Sequence, residues 1–320
     1  MPDTFHPLAS WENLRRRAEL LRQARRFFDE QEFLEVETPL LAGETVIDRH
    51  LDPFEVGGRG SGMKSGRLWL QTSPEFHMKR LLAAGAEAIY QVTRAFRRGE
   101  RGPLHQPEFT MIEWYRAGDS MDAGMQLLSD LAETLLGRGP AELLTYGEAF
   151  EAHLGLDSHT AEIQELTALA ASHGIRAPAS LSAEDRDGWL DLLLVERIQP
   201  RLGRNRPTIL YHYPASQAAL ARVREDTTPV AERFELYAEG IELANGYHEL
   251  LDPAELRRRN AEANRGRRAD GKQALPEDSL LLTAMEAGLP PSTGVALGFD
   301  RTVMVALGAK SLDEVMAFRE

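Results

Sequence analysis

Strand-like runs gather towards both ends of this chain and a long helical stretch separates them, and that order restricts the fold more than any other feature. β-Branched and aromatic residues crowd 89–96 and 109–115, then 208–213, 234–238 and 241–251, whereas helical patterning fills most of 119–198. Strands grouped this way lack the strand–helix–strand alternation of a parallel sheet. They predict an α+β fold, a largely antiparallel sheet flanked by helices. A helix is expected over 10–31, capped by Ser10, with Leu14, Ala18, Leu21, Ala24 and Phe28 near helical spacing. Extended chain follows over 33–36, and Pro39 breaks it. Ser73, Pro74 and Glu75 read as the start of a helix running through Leu82. A helix near 276–287, a strand at 295–299 and helices beyond Asp300 close the chain. The stretch 57–66 holds five glycines and two serines and reads as a flexible loop or hairpin. One body spanning 1–320 is the simplest domain count.

Acidic residues outnumber basic ones, leaving a net charge of −13 that repels polyanions. Basic residues nevertheless cluster at Arg15, Arg16, Arg17, Arg22, Arg25 and Arg26, and again from Arg257 to Lys272. Such runs are expected to be solvated faces, or else a local docking patch for an acidic partner. No apolar run approaches the ~20 residues that span a bilayer, so no membrane association is expected. The opening MPDTFHPLAS lacks a secretory pattern, and the expected compartment is cytoplasmic. The absence of cysteine excludes disulfides and thiolate metal sites.

Three segments carry the chemistry. FLEVETP at 33–39, Phe96 and Arg97 followed by HQPEF at 105–109, and GVALGFDR at 294–301 resemble, in order, motifs 1, 2 and 3 of class II aminoacyl-tRNA synthetases. In that family motif 1 builds a dimer interface, so a homodimer is implied. Joining an amino-acid carboxylate to the α-phosphate of ATP brings two anions together, and planar guanidinium groups neutralise the growing charge. The resemblance gives Arg97 the α-phosphate and the attacking carboxylate, and gives Arg301 the nucleotide from the other side. Phe109 would carry the adenine, with Arg301 covering the opposite face of the base. Gly99 stands where lysyl enzymes have the glutamate of Arg-x-Glu, so Glu100, one residue later, together with His105 is expected on the nucleotide. Gln106 and Leu104 also depart from the lysyl pattern.

The stretch TSPEFHMKR at 72–80 resembles the lysyl version of the fold, in which the glutamate, here Glu75, binds the substrate α-amino group. Glu235, Glu242, Asn245, Gly246 and Glu249 match the same family's acidic pattern. It implies that Glu235 and Glu242 hold Mg²⁺ on the ATP phosphates and that Asn245 and Glu249 meet the substrate, Glu249 taking its side-chain ammonium. Strand parity must bring these acids to one face, and metal and ammonium must neutralise them. Glu113 and Tyr115 are expected to complete the ammonium pocket, bordered by Ala296 and Gly298.

The resemblance begins near Ser10, leaving no chain for the anticodon-binding domain of a lysyl-tRNA synthetase. That architecture is similar to the elongation factor P lysine ligases, and with the net charge it makes tRNA an unlikely acceptor. Ala296 replaces a glycine of the lysyl enzymes, and its methyl would disfavour α-lysine over (R)-β-lysine. The expected activity is formation of a lysyl or (R)-β-lysyl adenylate and transfer to a lysine ε-amine of elongation factor P. The competing readings are a non-catalytic regulatory paralogue and a lysine-activating enzyme with a tRNA or small-molecule acceptor. A regulator would be expected to have lost Arg97, Arg301 or the metal acids, and all are present.

Overall fold

The structure, a computed structural model, describes residues 5–57, 67–225 and 227–319. Most of the glycine-rich stretch, 58–66, lies outside the described residues. The chain forms two compact units. One contains the chain up to Ser120, Thr134–Leu136 and Glu249 onward, and the other contains Met121–Glu133 and Gly137–His248.

The first unit opens with α1 (Trp11–Glu30), β1 (Leu34–Glu35), β2 (Leu41–Ala42), β3 (Glu55–Gly57), β4 (Arg67–Leu70), α2 (Glu75–Ala83), β5 (Ala88–Phe96) and β6 (Glu108–Ala117). Next come α3 (Met121–Leu136), β7 (Glu142–Thr145), α4 (Tyr146–Leu154), α5 (Ile163–Ser172), α6 (Arg186–Leu193), β8 (Thr208–Pro214), β9 (Val223–Arg224), β10 (Val230–Ala238) and β11 (Ile241–His248). The chain then returns to the first unit with α7 (Pro253–Ala269), α8 (Leu280–Gly288), β12 (Ser292–Gly298) and α9 (Phe299–Leu307).

In the first unit the strands run β1-β5-β6-β12, and β2-β4-β3 form a small separate sheet. In the second the order is β11-β10-β8-β7, with β9 also on β10. Only β1–β5 and β7–β8 pair in parallel; the other described pairs within the units are antiparallel. The expected mixed fold with a predominantly antiparallel sheet is therefore present.

Ser10 caps α1 as expected, its hydroxyl accepting the Asn13 N–H at 3.1 Å. The helix buries Leu20, Ala24, Phe27 and Phe28 along one stripe. Phe28 stacks on Tyr90 at 4.4 Å and meets Phe33 edge-on at 5.3 Å, which fixes α1 against β5. Burial of each such ring stabilises the fold by about 2–3 kcal/mol. At the start of α2, Ser73 accepts the Glu75 N–H at 3.0 Å, one position earlier than a standard N-cap because Pro74 occupies that place. The second unit has its own core, with Tyr146 stacked on Phe150 and Leu190, Leu193 and Ile198 buried beside them.

The basic run from Arg257 to Lys272 is not simply a solvated face. Most of it lies on α7, whose Asp252 cap accepts the Ala254 and Glu255 N–H groups. Arg267 is 2% exposed and donates to the carbonyls of Asp48 and Leu51 and to the Asp52 carboxylate. Arg17 is likewise part-buried, bound to Asp300 at 2.5 Å. Arg15, Arg16, Arg22, Arg26, Arg257, Arg258, Arg265 and Arg268 are exposed as expected, and Arg25 and Arg259 are half-buried.

Candidate active site

Strands β5 and β6 form a hairpin whose loop, 97–107, opens with Arg97. Its N–H donates to the Pro107 carbonyl at 2.8 Å, and Gly99 turns the chain at φ 87. Gly102 and His105 then exchange backbone hydrogen bonds, closing a tight turn. The Arg97 guanidinium lies 5.0 Å above the Phe109 ring, and its buried Nε makes no hydrogen bond among the described residues. Glu100 sits 3.9 Å from Arg97.

Arg301 projects from the first turn of α9 into the same loop. Its Nε donates to the Leu104 carbonyl at 3.0 Å, and a terminal nitrogen lies 2.7 Å from His105 Nε2. Partial burial, then the Arg301 charge, holds the His105 imidazole below its usual pKa, so neutral Nε2 can accept that bond. The two arginines, far apart in sequence, thus converge on one hairpin. The Phe109 ring, the expected platform for adenine, is covered by the Arg97 guanidinium.

The residues expected to form the amino-acid pocket gather further along the β6 face that carries Phe109. Glu113 and Tyr115 alternate along β6, directly opposite Ala296 and Gly294 of β12. Gly298 ends that strand opposite Met111 and begins α9. Tyr115 donates to Glu113 Oε1 at 2.7 Å and Ser73 donates to Oε2 at 2.8 Å. Burial, and then the Glu75 charge, pushes the Glu113 carboxyl up to about 7. Glu249, 1% exposed, has an Oε1 with no hydrogen-bond donor among the described residues. A Cβ on Gly294 would fall 2.1 Å from Tyr115 Cε1 and 2.3 Å from this oxygen, so no larger residue fits there.

The sequence reading missed the fourth charge of this pocket. Lys79, one turn after Glu75 on α2, places Nζ 2.5 Å from both Glu75 and Glu249. Burial opposes its charge, but Glu249 and Glu75 together outweigh it and raise its pKa. Glu249 itself is pushed up, burial and the neighbouring carboxylates exceeding the pull of Lys79. The four-residue spacing from Glu75 places Lys79 on the same helix face, but spacing alone does not separate a buried bridge from a surface ion pair.

The second unit holds the remaining acids. In the β10–β11 hairpin Glu235 pairs with Asn245 and Tyr237 with Glu242, on either side of a bulge. The extra residue corrects the parity and brings Glu235, Glu242 and Asn245 to one face. Both oxygens of Glu235 have partners within the chain. One oxygen accepts both the Tyr213 hydroxyl at 2.5 Å and the Tyr237 hydroxyl, and the other binds Arg233 at 2.5 Å. Among the described residues no three acids or histidines stand ready as a metal cluster. Asn245 Oδ1, by contrast, is buried without a donor.

Comparison with known proteins gives the family of the chain. Residues 7–320 match the family described as tRNA synthetases class II (D, K and N). The chain is 48% identical over 316 residues to the elongation factor P–(R)-β-lysine ligase of Klebsiella pneumoniae strain 342, covering 98% of this chain and 97% of that protein. The enzyme of the same name from Salmonella dublin matches at the same identity and coverage.

Proposed function

The chain belongs to the class II tRNA synthetase family, and from that membership we propose that it is an AMP-forming ligase for elongation factor P, using ATP and (R)-β-lysine or lysine. The carrying observation is the closed pocket of Glu75, Glu113 and Glu249 beside the hairpin that gathers Arg97 and Arg301. No apolar amino acid would satisfy so many buried acids.

Arg97, with its unpaired Nε, receives the substrate carboxylate and the α-phosphate as the carboxylate oxygen attacks phosphorus and pyrophosphate departs. Arg301 and His105 hold the nucleotide from the α9 side, with Glu100 fixing Arg97. Phe109 supplies the ring for adenine. Glu249 and Glu113, with Tyr115, take the side-chain ammonium, and Glu75 takes the nearer amine. In the second step the acceptor ε-amine, having lost its proton to solvent or to the departing phosphate, attacks the carbonyl. An amide forms and AMP leaves.

Magnesium is the metal this family implies. Glu235 and Glu242 are the acids that would hold such an ion, on the hairpin face that also carries the buried Asn245 Oδ1, which has no donor among the described residues. The ion would supply neutralisation of phosphate charge. Exposed Trp11, Leu34, Leu40 and Leu41 support reading the motif 1 region as a dimer surface. Among the described residues no helix is long and apolar enough to cross a membrane.

The test is ATP–pyrophosphate exchange with lysine, (R)-β-lysine and (S)-β-lysine, followed by mass measurement of elongation factor P. The expected result is exchange with the (R)-β isomer in preference to the others and a β-lysyl mass increment on the protein. Exchange with no diamino acid, or activation without any change in the mass of elongation factor P, would overturn the reading.

A further inference from the structure

We infer that Lys79 is a positioning residue that sets the charge requirement of the amino-acid pocket. Its ammonium ties Glu75 to Glu249, neutralises one of three buried carboxylates from within the chain, and leaves two for a substrate with two ammonium groups. The inference rests on the proposed amino-acid site and goes beyond it, because it assigns the selection of a dibasic substrate to an internal cation rather than to the acids alone.

The geometry is that of a bridge rather than of a surface pair. The Lys79 side chain is 3% exposed, and its Nζ is equally close to a carboxylate on its own helix and to one beyond β11. Among the described residues Glu113 has only neutral donors, the Tyr115 and Ser73 hydroxyls, and the more distant Lys79 is the cation that acts on its charge. Glu249 Oε1 faces Gly294 with no donor. The groups facing one another are Glu75 and Lys79 from α2, Glu113 and Tyr115 from β6, and Glu249. Helix α8, which packs on α2, buries the apolar Leu281, Leu282 and Met285, while β12 contributes Gly294 and Ala296, and β5 contributes neutral Gln91 opposite Glu113.

Burying a carboxylate without a cation costs several kcal/mol, so such a group keeps its proton until a cation arrives. The raised Glu113 and Glu249 carboxyls agree with that behaviour. A diammonium ligand replaces those protons with two positive charges, whereas a ligand with one ammonium leaves a carboxyl either protonated or uncompensated. Lys79 favours ionisation of Glu249, so its removal shifts that ionisation to higher pH.

The experiment measures KM for (R)-β-lysine and for ATP in pyrophosphate exchange from pH 6 to 9, for the parent and for Lys79→Met. In the parent, KM for the amino acid falls as pH rises through the range in which Glu113 and Glu249 ionise. In Lys79→Met that fall moves upward by about one pH unit or more, and KM at pH 7 rises about 10-fold or more, while KM for ATP stays within about 2-fold. Lys79→Gln keeps hydrogen bonding without charge and must show the same shift; it decides the matter if the methionine variant is too unstable to assay. Parent and variant profiles that superimpose, or a KM for ATP that rises in step, overturn the inference. A parent that activates no diamino acid sinks the proposed function itself, whatever Lys79 does.

Discussion

Glu113 illustrates how a single residue trades stability for binding. It is fully buried and held by two neutral hydroxyls, and burial leaves its carboxyl at about 7 against an ordinary 4.5. Because the folded state binds this proton more tightly than the unfolded chain, the folded protein loses stability as pH rises from about 4.5 to about 7. Glu113→Gln removes that liability. It is expected to raise stability at pH 8 by about 2–3 kcal/mol in urea denaturation, with little gain at pH 4, and to weaken amino-acid binding severely. A variant no more stable than the parent at pH 8 would show that the acid is charged without cost. Ala296 pairs with Glu113 across the strands, which puts its methyl on the face that carries this carboxyl. Ala296→Gly should raise lysine activation relative to (R)-β-lysine by about 10-fold in exchange assays, the worth of a contact of about 1–2 kcal/mol. An unchanged ratio would mean that the methyl does not touch the ligand.

At the level of elements, one arginine binds α1, β6 and α9 together. Arg17 of α1 reaches Asp300 at 2.5 Å and the Thr110 hydroxyl at 2.9 Å, while Asp300 also accepts the Thr110 N–H at 2.8 Å. Helix α1, strand β6 and the start of α9 therefore share one buried carboxylate, and the next residue after it is Arg301. Arg17→Ala leaves Asp300 buried without its cation, an expected loss of about 3 kcal/mol measured by urea denaturation. It should also lower kcat, since α9 loses the contact that fixes its first turn. Near-parent stability would mean that Thr110 alone suffices. The strands and helices of the motif segments were legible because alternation and end signals are strong where β-branched residues crowd. Helix α7 was not assigned from the sequence, because Leu256 is its one large apolar residue and its packing runs through Asn260, Asn264 and Arg267. Asn264, for example, exchanges hydrogen bonds with both backbone groups of Leu275 at 2.9 Å. Strand β7 pairs with β8 over only four residues, too short for alternation to mark. In the site, Arg97, Arg301, Glu75 and Glu113 followed from resemblance. The saturation of Glu235 by Tyr213, Tyr237 and Arg233 did not, because partners brought together by folding leave no spacing to read.

For the molecule as a whole, charge bears on what can accept the activated amino acid. The net charge is −13, and much of the positive charge in the two basic runs is spent internally. Arg17 binds Asp300, Arg22 binds Glu19 and Arg25 binds Glu35 in the first run; Arg257 binds Glu286, Arg258 and Arg259 bind Glu255, and Arg267 binds Asp52 in the second. A polyanion approaching these runs meets paired charges and gains little from releasing its counterions. Affinity for tRNA should therefore be weak even at ~50 mM salt, and should change little as salt is raised, since few phosphates are neutralised. The check is to supply total tRNA and elongation factor P in parallel, with labelled (R)-β-lysine and ATP. Label is expected on the protein and not on acid-precipitated tRNA, and excess tRNA should not slow transfer to the protein. Charging of tRNA at a comparable rate, or inhibition by tRNA that disappears as salt is raised, would show that an unpaired cationic surface remains and that the acceptor is not decided by charge.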